Sequence, residues 1–318
     1  MAYTAGDTIL DDEYNAFVNS SSSPYGYNHF AGPGAGEYGL NQSTIATVSA
    51  GDTVQASQWN SLFTGLDNIS NHTNVAITST SVSAGDTIAI KAALIGDLAN
   101  LAAAVAAGSP SATAINSGTA AGTSTNSGTW NSSSTIERSV TFADNNTMRA
   151  YFNAGGKVRM DPSCITGIAG SKDTVFNSLT VTATGNLDIG AHATTRSGSG
   201  EVTTTNGLAN GFHDLGTSYT TLLKLTSNDS GYTSNTVEYS AKLNAAPSSA
   251  TVLTMRMVST DPAADTTYTS PNTSGVPANP NEAPRMTLAI LELYPTNAEG
   301  LASNIRITSN TQVSNSAS

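Results

Sequence analysis

The sequence predicts a mainly β protein with a small helical N-terminal part, and three observations lead to this fold class. Apolar residues recur at helical spacings over residues 1–107, whereas Ser, Thr, Gly and Asn dominate residues 108–135. From Ile136 onward apolar and polar residues alternate, which is typical of strands with one buried face. We therefore expect a helical N-terminal region over 1–107, a flexible linker over 108–135 and an antiparallel, jelly-roll-like β-sandwich over 136–318.

The N-terminal region contains an internal repeat. A pentad, Ala-Gly-Asp-Thr followed by Ile or Val, begins at Ala5, Ala50 and Ala84, with unequal spacing that does not fit a solenoid. After the first two copies comes an aromatic-Asn pair, Tyr14-Asn15 and Trp59-Asn60. Each unit predicts a short extended segment, a turn at Gly-Asp and then a helix.

Apolar side chains on the predicted helices form two stripes. The first predicts that Trp59 is buried against Tyr14 and Phe17 of the preceding unit. The second has the 4-3-4 spacing of an a/d seam about two heptads long, which fits either core packing within one chain or a helix seam between chains. Together the stripes give the candidate oligomer and attachment residues, which are Tyr14, Phe17, Trp59, Leu62, Phe63, Leu94, Leu98, Leu101 and Val105.

Short apolar runs after the linker predict the strands of the sandwich. Tyr151-Phe152 and Val158 with Met160 flank the turn Asn153-Ala154-Gly155-Gly156, which predicts a β-hairpin. Four prolines between Pro271 and Pro284 predict a long extended loop. The other predicted strands cover residues 179–182, 222–225, 237–243, 252–258, 286–293 and 305–307.

Charge and composition exclude several classes of partner. The net charge of −11 argues against nucleic-acid binding, which needs Lys and Arg to displace counterions. No apolar run approaches the roughly 18–20 residues of a membrane helix, and the N-terminus does not resemble a signal peptide. A single cysteine, Cys164, excludes an internal disulfide framework and a multi-cysteine zinc site.

The apparent functional motifs favour structural interpretations. Gly34-Ala35-Gly36-Glu37-Tyr38-Gly39 matches a dinucleotide-binding pattern, but no predicted strand precedes it and no helix follows. We expect instead a glycine-aromatic loop in which Tyr25, Tyr27, Phe30 and Tyr38 pack against the chain or its neighbours.

Catalytic and metal-binding residues are likewise not expected. The four histidines, His29, His72, His192 and His213, are far apart in sequence, and no nucleophile elbow is present. Oxygen-rich turns at 144–147 and 228–231 predict ordinary Asx turns rather than calcium sites, and Cys164 is expected to be a packed residue. We predict no catalytic residue, no cofactor and no metal site.

Several segments resemble virion proteins of tailed bacteriophages. They are the pentad repeats with their aromatic-Asn pairs, the loop from Tyr25-Gly26 to Tyr38-Gly39, Ser139 to Asp144 leading into Tyr151 to Arg159, Phe212 to Thr220, and Ser230 to Asn235. The resemblance implies a non-enzymatic virion component, assembled in the host cytoplasm. A tail-fibre or appendage position is favoured, and we expect attachment through the N-terminal region and a homo-oligomer, with a trimer favoured by the fibre-like resemblance.

Other positions and roles stay open beside the tail-fibre interpretation. The same resemblance fits a head or neck decoration or collar protein that contacts other virion proteins. A non-hydrolytic carbohydrate-binding module would use a host glycan or receptor and exposed tyrosines, for which Tyr219, Tyr232, Tyr239 and Tyr268 are the candidates. An enzymatic tailspike is disfavoured, because the strands lack the regular short repeats of a long parallel β-helix.

Overall fold

The computed structural model describes residues 11–83, 91–111, 113–128, 130, 132–166, 171–262, 283–302 and 305–318. The helices in these ranges are α1 Asp11–Asn19, α2 Tyr27–Phe30, α3 Ala56–Thr73, α4 Lys91–Ala106, α5 Asn145–Asn153 and α6 Ser171–Asn177. A π-helical segment covers Ser178–Thr184, and 3-10 turns cover Phe212–Asp214 and Asn297–Glu299. The strands are β1 Ile115–Thr125, β2 Ser133–Thr141, β3 Lys157–Cys164, β4 Leu187–Ile189, β5 Thr194–Arg196, β6 Val202–Asn206, β7 Thr220–Thr226, β8 Thr236–Leu243, β9 Val252–Thr260, β10 Met286–Pro295 and β11 Ser309–Ala317.

The fold is mainly β, as the sequence predicts, with two antiparallel sheets. One sheet has the strand order β1-β10-β3-β4-β5, and the other has the order β11-β2-β9-β8-β7-β6. Cross-sheet hydrogen bonds join β2 and β11 to β1: Arg138 Nη1 donates to Ser124 Oγ at 2.5 Å, and Asn315 Nδ2 donates to the Thr125 carbonyl at 2.8 Å. These contacts, together with the buried inner faces, give a β-sandwich.

Alternating burial explains why these segments form strands. On β9 the side chains of Leu253, Met255 and Met257 are fully buried. The side chains of Val237 and Tyr239 on β8 are also fully buried. Because side chains on a strand point alternately to opposite faces, this pattern places one face of each strand in the core.

The described residues divide into two compact units, and the chain enters each of them more than once. The helical unit comprises Met1–Ser117, Asp144–Gly156 and Tyr294–Arg306. The β unit comprises Gly118–Ala143, Lys157–Leu293 and Ile307–Ser318. The predicted order of helical region, linker and sandwich therefore differs from the structure, since α5 and the turn at Asn297–Glu299 belong to the helical unit. Period-two patterning is a local signal and does not reveal which core a segment enters.

The predicted linker over residues 108–135 contains ordered structure. It includes β1, which lies beside β10, and the first residues of β2. The Trp130 indole N–H donates to the Pro284 carbonyl at 2.7 Å, and its ring packs against Phe176 with centroids 5.0 Å apart. Small side chains give a weak sequence signal here, but their backbone groups pair in the sheet as well as those of any residue.

Three of the predicted strands are not strands in the structure. The predicted hairpin around Tyr151 is α5 followed by β3, and residues 179–182 lie in the π-helical segment. Residues 305–307 precede β11 and are outside any strand. In α5, Asp144 Oδ1 accepts from the Thr147 backbone N–H at 2.7 Å, so an N-cap fixes a helix where the hairpin prediction placed a strand. The predicted strands at 222–225, 237–243, 252–258 and 286–293 correspond to β7–β10.

Some of the sequence predictions fall partly or wholly outside the described residues. The first pentad, the third pentad and most of the proline-rich segment lie outside the described residues. In the second pentad the Asp52 backbone N–H donates to the Ser49 carbonyl at 3.0 Å, Gly51 has a φ of +86°, and α3 follows at Ala56. The predicted turn at Gly-Asp followed by a helix is therefore confirmed for this copy.

Candidate binding surface of the helical unit

The nine candidate oligomer and attachment residues are all buried inside the helical unit. Each is at most 7% exposed, and Leu98 and Leu101 are fully buried. A side chain buried in its own chain is not available to a partner while the unit is folded, so this burial argues against their assignment as contact residues. For the stripe on α4, burial favours core packing over a seam between chains.

The aromatic stripe forms the centre of this core. Trp59 lies edge-on to Tyr14 with ring centroids 5.2 Å apart, and 6.0 Å from Phe17. Phe63, one helical turn further along α3, stacks on Trp59 at 5.9 Å. The predicted burial of Trp59 against Tyr14 and Phe17 is confirmed, and α1 and α3 are held together by these rings.

A second group of rings lies at the surface of the helical unit. Tyr25 stacks on His29 with centroids 4.5 Å apart and an interplanar angle of 10°, and Tyr38 lies 4.6 Å from Tyr25 and 4.8 Å from His29. All three side chains are only half-buried. We call this group the Tyr25–His29–Tyr38 cluster. It is the part of the predicted glycine-aromatic loop that faces solvent, whereas Tyr27 and Phe30 are buried.

The loop that carries Tyr38 is fixed by backbone hydrogen bonds and by a buried arginine. The Gly39 N–H donates to the Phe30 carbonyl at 3.0 Å. Arg149 Nη2 from α5 donates to the carbonyls of Pro33 and, at 3.3 Å, Gly34. Burial lowers the pKa of Arg149, although the nearby Asp144 carboxylate partly offsets this. Gly34 has a φ of +54°, and a Cβ there would lie 2.5 Å from the Gly39 backbone, so this turn needs glycine.

The cluster presents flat apolar faces with polar edges. Burial lowers the pKa of His29 below its ordinary 6.5, so the imidazole is neutral at pH 7. The pKa of Tyr38 is raised by burial and by its hydrogen bond with Tyr25. Neutral, pre-ordered rings lose little conformational entropy on binding, and tyrosine is a frequent anchor in protein interfaces. This chemistry suits contact with a protein surface or with the apolar face of a sugar.

The structure brings together two histidines that are distant in the sequence. His192 and His213 stack in the β unit with ring centroids 5.1 Å apart. No sequence spacing signals the pair, because the 3-10 turn at Phe212–Asp214 folds back on the loop after β4. Within the described ranges no group of three or more His, Cys, Asp or Glu side chains is arranged to hold a metal ion.

The remaining candidate motifs have structural roles. The Gly34–Gly39 motif lies in the loop after α2, without a strand before it or a helix directly after it. In the oxygen-rich turn at 144–147, Asp144 is the N-cap of α5. In the turn at 228–231, the Tyr232 N–H donates to the Asp229 carbonyl at 3.0 Å. Burial, followed by the nearby Asp173 charge, raises the pKa of Cys164 to about 11, which makes it a poor nucleophile.

The tyrosines considered for glycan binding are not a common exposed set. Tyr239 is fully buried, so the expectation that it is exposed is wrong. Tyr219 is covered by Arg256 and Lys242, whose cationic groups lie 3.8 Å and 4.4 Å from its ring centroid. Tyr232 is half-buried in a turn, and Tyr268 lies outside the described residues.

In the part of the chain that the structure describes, no helix combines the length and apolar character needed to cross a membrane. No family model, no curated protein and no solved structure matches the chain.

Proposed function

We propose that this chain is a non-enzymatic structural component of a tailed-bacteriophage virion, of the tail-fibre or appendage type, attached through its N-terminal region. The proposal rests on the sequence resemblance and is supported by one structural observation, the Tyr25–His29–Tyr38 cluster. In this proposal the cluster is the attachment contact, and the buried helical stripes hold it in place.

The cluster has the properties that a docking surface needs. Its rings are half-exposed and mutually stacked, and the loop beneath them is fixed by Arg149 and by Gly34. A rigid aromatic patch of this kind contributes binding energy without a large ordering cost. Homo-oligomerisation, with a trimer favoured, remains part of the proposal.

The experiment compares incorporation into particles. A phage lacking its own copy is complemented with tagged wild-type protein or with a Tyr25→Ala, Tyr38→Ala double variant, and purified particles are probed for the tag. We expect the double variant to fold and to be lost from particles, whereas Tyr232→Ala, a half-buried tyrosine of the β unit, should be retained. Incorporation of the double variant at the wild-type level contradicts the assignment of the cluster, and absence of the wild type from particles contradicts the virion proposal.

The same tagged particles distinguish the alternative positions. Labelling at the tail supports the appendage, and labelling at the head or neck supports a decoration or collar protein. Light scattering on the purified chain measures its mass and tests the trimer.

A glycan-binding role is favoured by the same cluster, since stacked rings also fit a sugar face. A glycan array of host polysaccharides tests this role, with the double variant as the control. Binding that the double variant loses supports the receptor module, and no binding at millimolar glycan argues against it.

A further inference from the structure

A buried ion pair joins α6 to the end of β9 within the β unit. Lys172 Nζ lies 2.6 Å from Asp261 Oδ2, and the two side chains are 2% and 0% exposed. Removing both charges from water carries a large desolvation cost. Moving one proton from the ammonium to the carboxylate gives a neutral amine beside a neutral carboxylic acid and relieves that cost.

A buried amide, that of Asn235, lies across from Asp261 in the register of β8 and β9. Thr236 and Thr260 are opposite each other on β8 and β9, so Asn235 and Asp261 follow as the next opposite positions and point to the same inner face. Asn235 is fully buried. Among the described residues neither its Nδ2 nor its Oδ1 has a hydrogen-bond partner. Buried amides are almost always satisfied, so this one calls for an explanation.

We propose that Lys172 and Asp261 react to form an intramolecular isopeptide bond. The ammonium first gives a proton to the Asp261 carboxylate. The free amine Nζ then attacks Cγ of the carboxylic acid, and the Nζ–Cγ bond forms. A second proton leaves Nζ for the departing hydroxyl group, the Cγ–O bond breaks, and one water molecule is released. No oxidant, reductant or cofactor is required.

The geometry supplies what this condensation needs. The reacting groups are held in contact inside a core, which replaces a bimolecular encounter by a fixed approach. Exclusion of bulk water disfavours hydrolysis of the product. In this proposal the Asn235 amide donates Nδ2–H to the oxyanion that develops on Asp261. This role would account for the unsatisfied amide of Asn235. Asn235 is therefore a positioning residue for the reaction.

A second lysine–carboxylate pair in the same unit provides a matched control. Lys224 Nζ lies 3.4 Å from Glu238 Oε2, and these side chains are 36% and 24% exposed. Water solvates both charges there, so the desolvation that favours the proposed condensation is absent from this pair.

The first test is the mass of the purified full-length chain. We expect it to be lighter than the sequence mass by one water molecule, once the state of Met1 is established from its N-terminal peptide. Trypsin should fail to cleave after Lys172 and should release residues 160–196 joined to residues 257–285. A mass equal to that of the sequence, with both peptides separate, overturns the proposal and leaves an ion pair only.

Variants identify the bond that forms. Asp261→Asn should react with loss of ammonia and give the same final mass as the wild type, because the product amide is identical. Lys172→Arg keeps a cation but should show its full sequence mass, whereas Lys224→Arg should retain the deficit of one water. A deficit that persists in Lys172→Arg would place the dehydration elsewhere and overturn the proposal.

The role of Asn235 is tested by rate. The chain is refolded from urea, and the fraction of joined peptides is followed over time. Asn235→Ala should slow the reaction at least tenfold while the refolded chain keeps the wild-type circular dichroism spectrum. Formation at the wild-type rate would overturn the positioning role.

Discussion

The side-chain amide of Asn60 on α3 holds the backbone of Val82 through two hydrogen bonds. Its Nδ2 donates to the Val82 carbonyl at 2.9 Å, and its Oδ1 accepts from the Val82 N–H at 2.9 Å. Asn15 on α1 makes the same pair of bonds with Val48, at 2.9 Å and 2.8 Å. Both valines directly precede Ser-Ala-Gly-Asp-Thr, and both asparagines follow the aromatic residue of the repeat. The repeat thus encodes an asparagine clamp, in which each helix fixes the segment leading into the next unit.

The third unit departs from the clamp in the way its sequence indicates. Leu94 occupies the position of the asparagine and is buried in the core. Asp97, one turn later, instead accepts from the backbone N–H groups of Thr78, at 3.0 Å, and Ser79, at 2.8 Å. A carboxylate can accept but cannot donate, so Asp97 satisfies only donors, the backbone N–H and hydroxyl groups of Thr78 and Ser79, and does not replace the two-way clamp.

Replacing Asn60 with Ala should lower the free energy of unfolding. The change leaves one backbone donor and one acceptor of Val82 without their partner, a loss of about 1–3 kcal/mol. Urea denaturation followed by circular dichroism measures it. Asn71→Ala is the matched control on the same helix, since the Asn71 side chain is exposed and, among the described residues, makes one long 3.4 Å hydrogen bond, to Asp67. Equal midpoints for the two variants would show that the clamp does not contribute to stability.

Local sequence patterns predict the elements that depend on local physics. The alternation over 252–258 and the helical stripe around Trp59 both predict the element and its buried face correctly, because burial repeats with the period of the element. The Tyr25–His29–Tyr38 cluster is partly predictable, since the glycine-aromatic composition indicates the loop. The loop that carries Tyr38 is also held by Arg149, more than a hundred residues later in the chain, and no local pattern indicates this contact.

Long-range pairing accounts for the predictions that fail. β1 pairs with β10, so a segment rich in small residues becomes a strand only through a distant partner. Tyr151 and Phe152 are fully buried in the helical unit, although their surroundings alternate like a strand. The Lys172–Asp261 pair joins positions whose local sequences show no relation to each other.

Trp59→Ala should destabilise the helical unit strongly. The ring contacts Tyr14, Phe17 and Phe63, and removing it leaves a large cavity at a cost of roughly 3–5 kcal/mol. Thermal unfolding followed by circular dichroism measures the change. Trp59→Phe should cost much less, because it keeps an aromatic ring and removes an indole N–H that has no partner among the described residues. A wild-type melting curve for Trp59→Ala would contradict the central position of this ring.

Alkaline pH should weaken the fold through Cys164. Its thiol pKa is about 11 in the folded chain against an ordinary value of 9.0, because burial disfavours the thiolate. Between pH 9 and 11 the thiol is ionised in the unfolded chain but still protonated in the folded chain. The contribution of the raised pKa to the free energy of unfolding is therefore complete below pH 9 and is lost as the pH rises toward 11. Denaturation midpoints measured from pH 7 to 10.5 should fall less steeply in Cys164→Ala. Alkylation at pH 8 should be about a hundredfold slower in the folded chain than in urea, and equal rates would contradict the raised pKa.

The apolar stripe on α4 can be tested directly as either core packing within one chain or a helix seam between chains. Leu98 and Leu101 are fully buried within one chain, so Leu98→Asp with Leu101→Asp should place two carboxylates in an apolar core and unfold the helical unit. Helical circular dichroism should drop, and the fluorescence of Trp59 should shift to that of a solvated indole. Asn100→Asp adds a charge to the exposed side of the same helix and should leave both signals unchanged. If the double variant instead keeps its helical signal and melting temperature but changes from oligomer to monomer in light scattering, the stripe is a seam between chains. Because leucine-to-aspartate changes cannot be absorbed by a packed core, the two outcomes exclude each other.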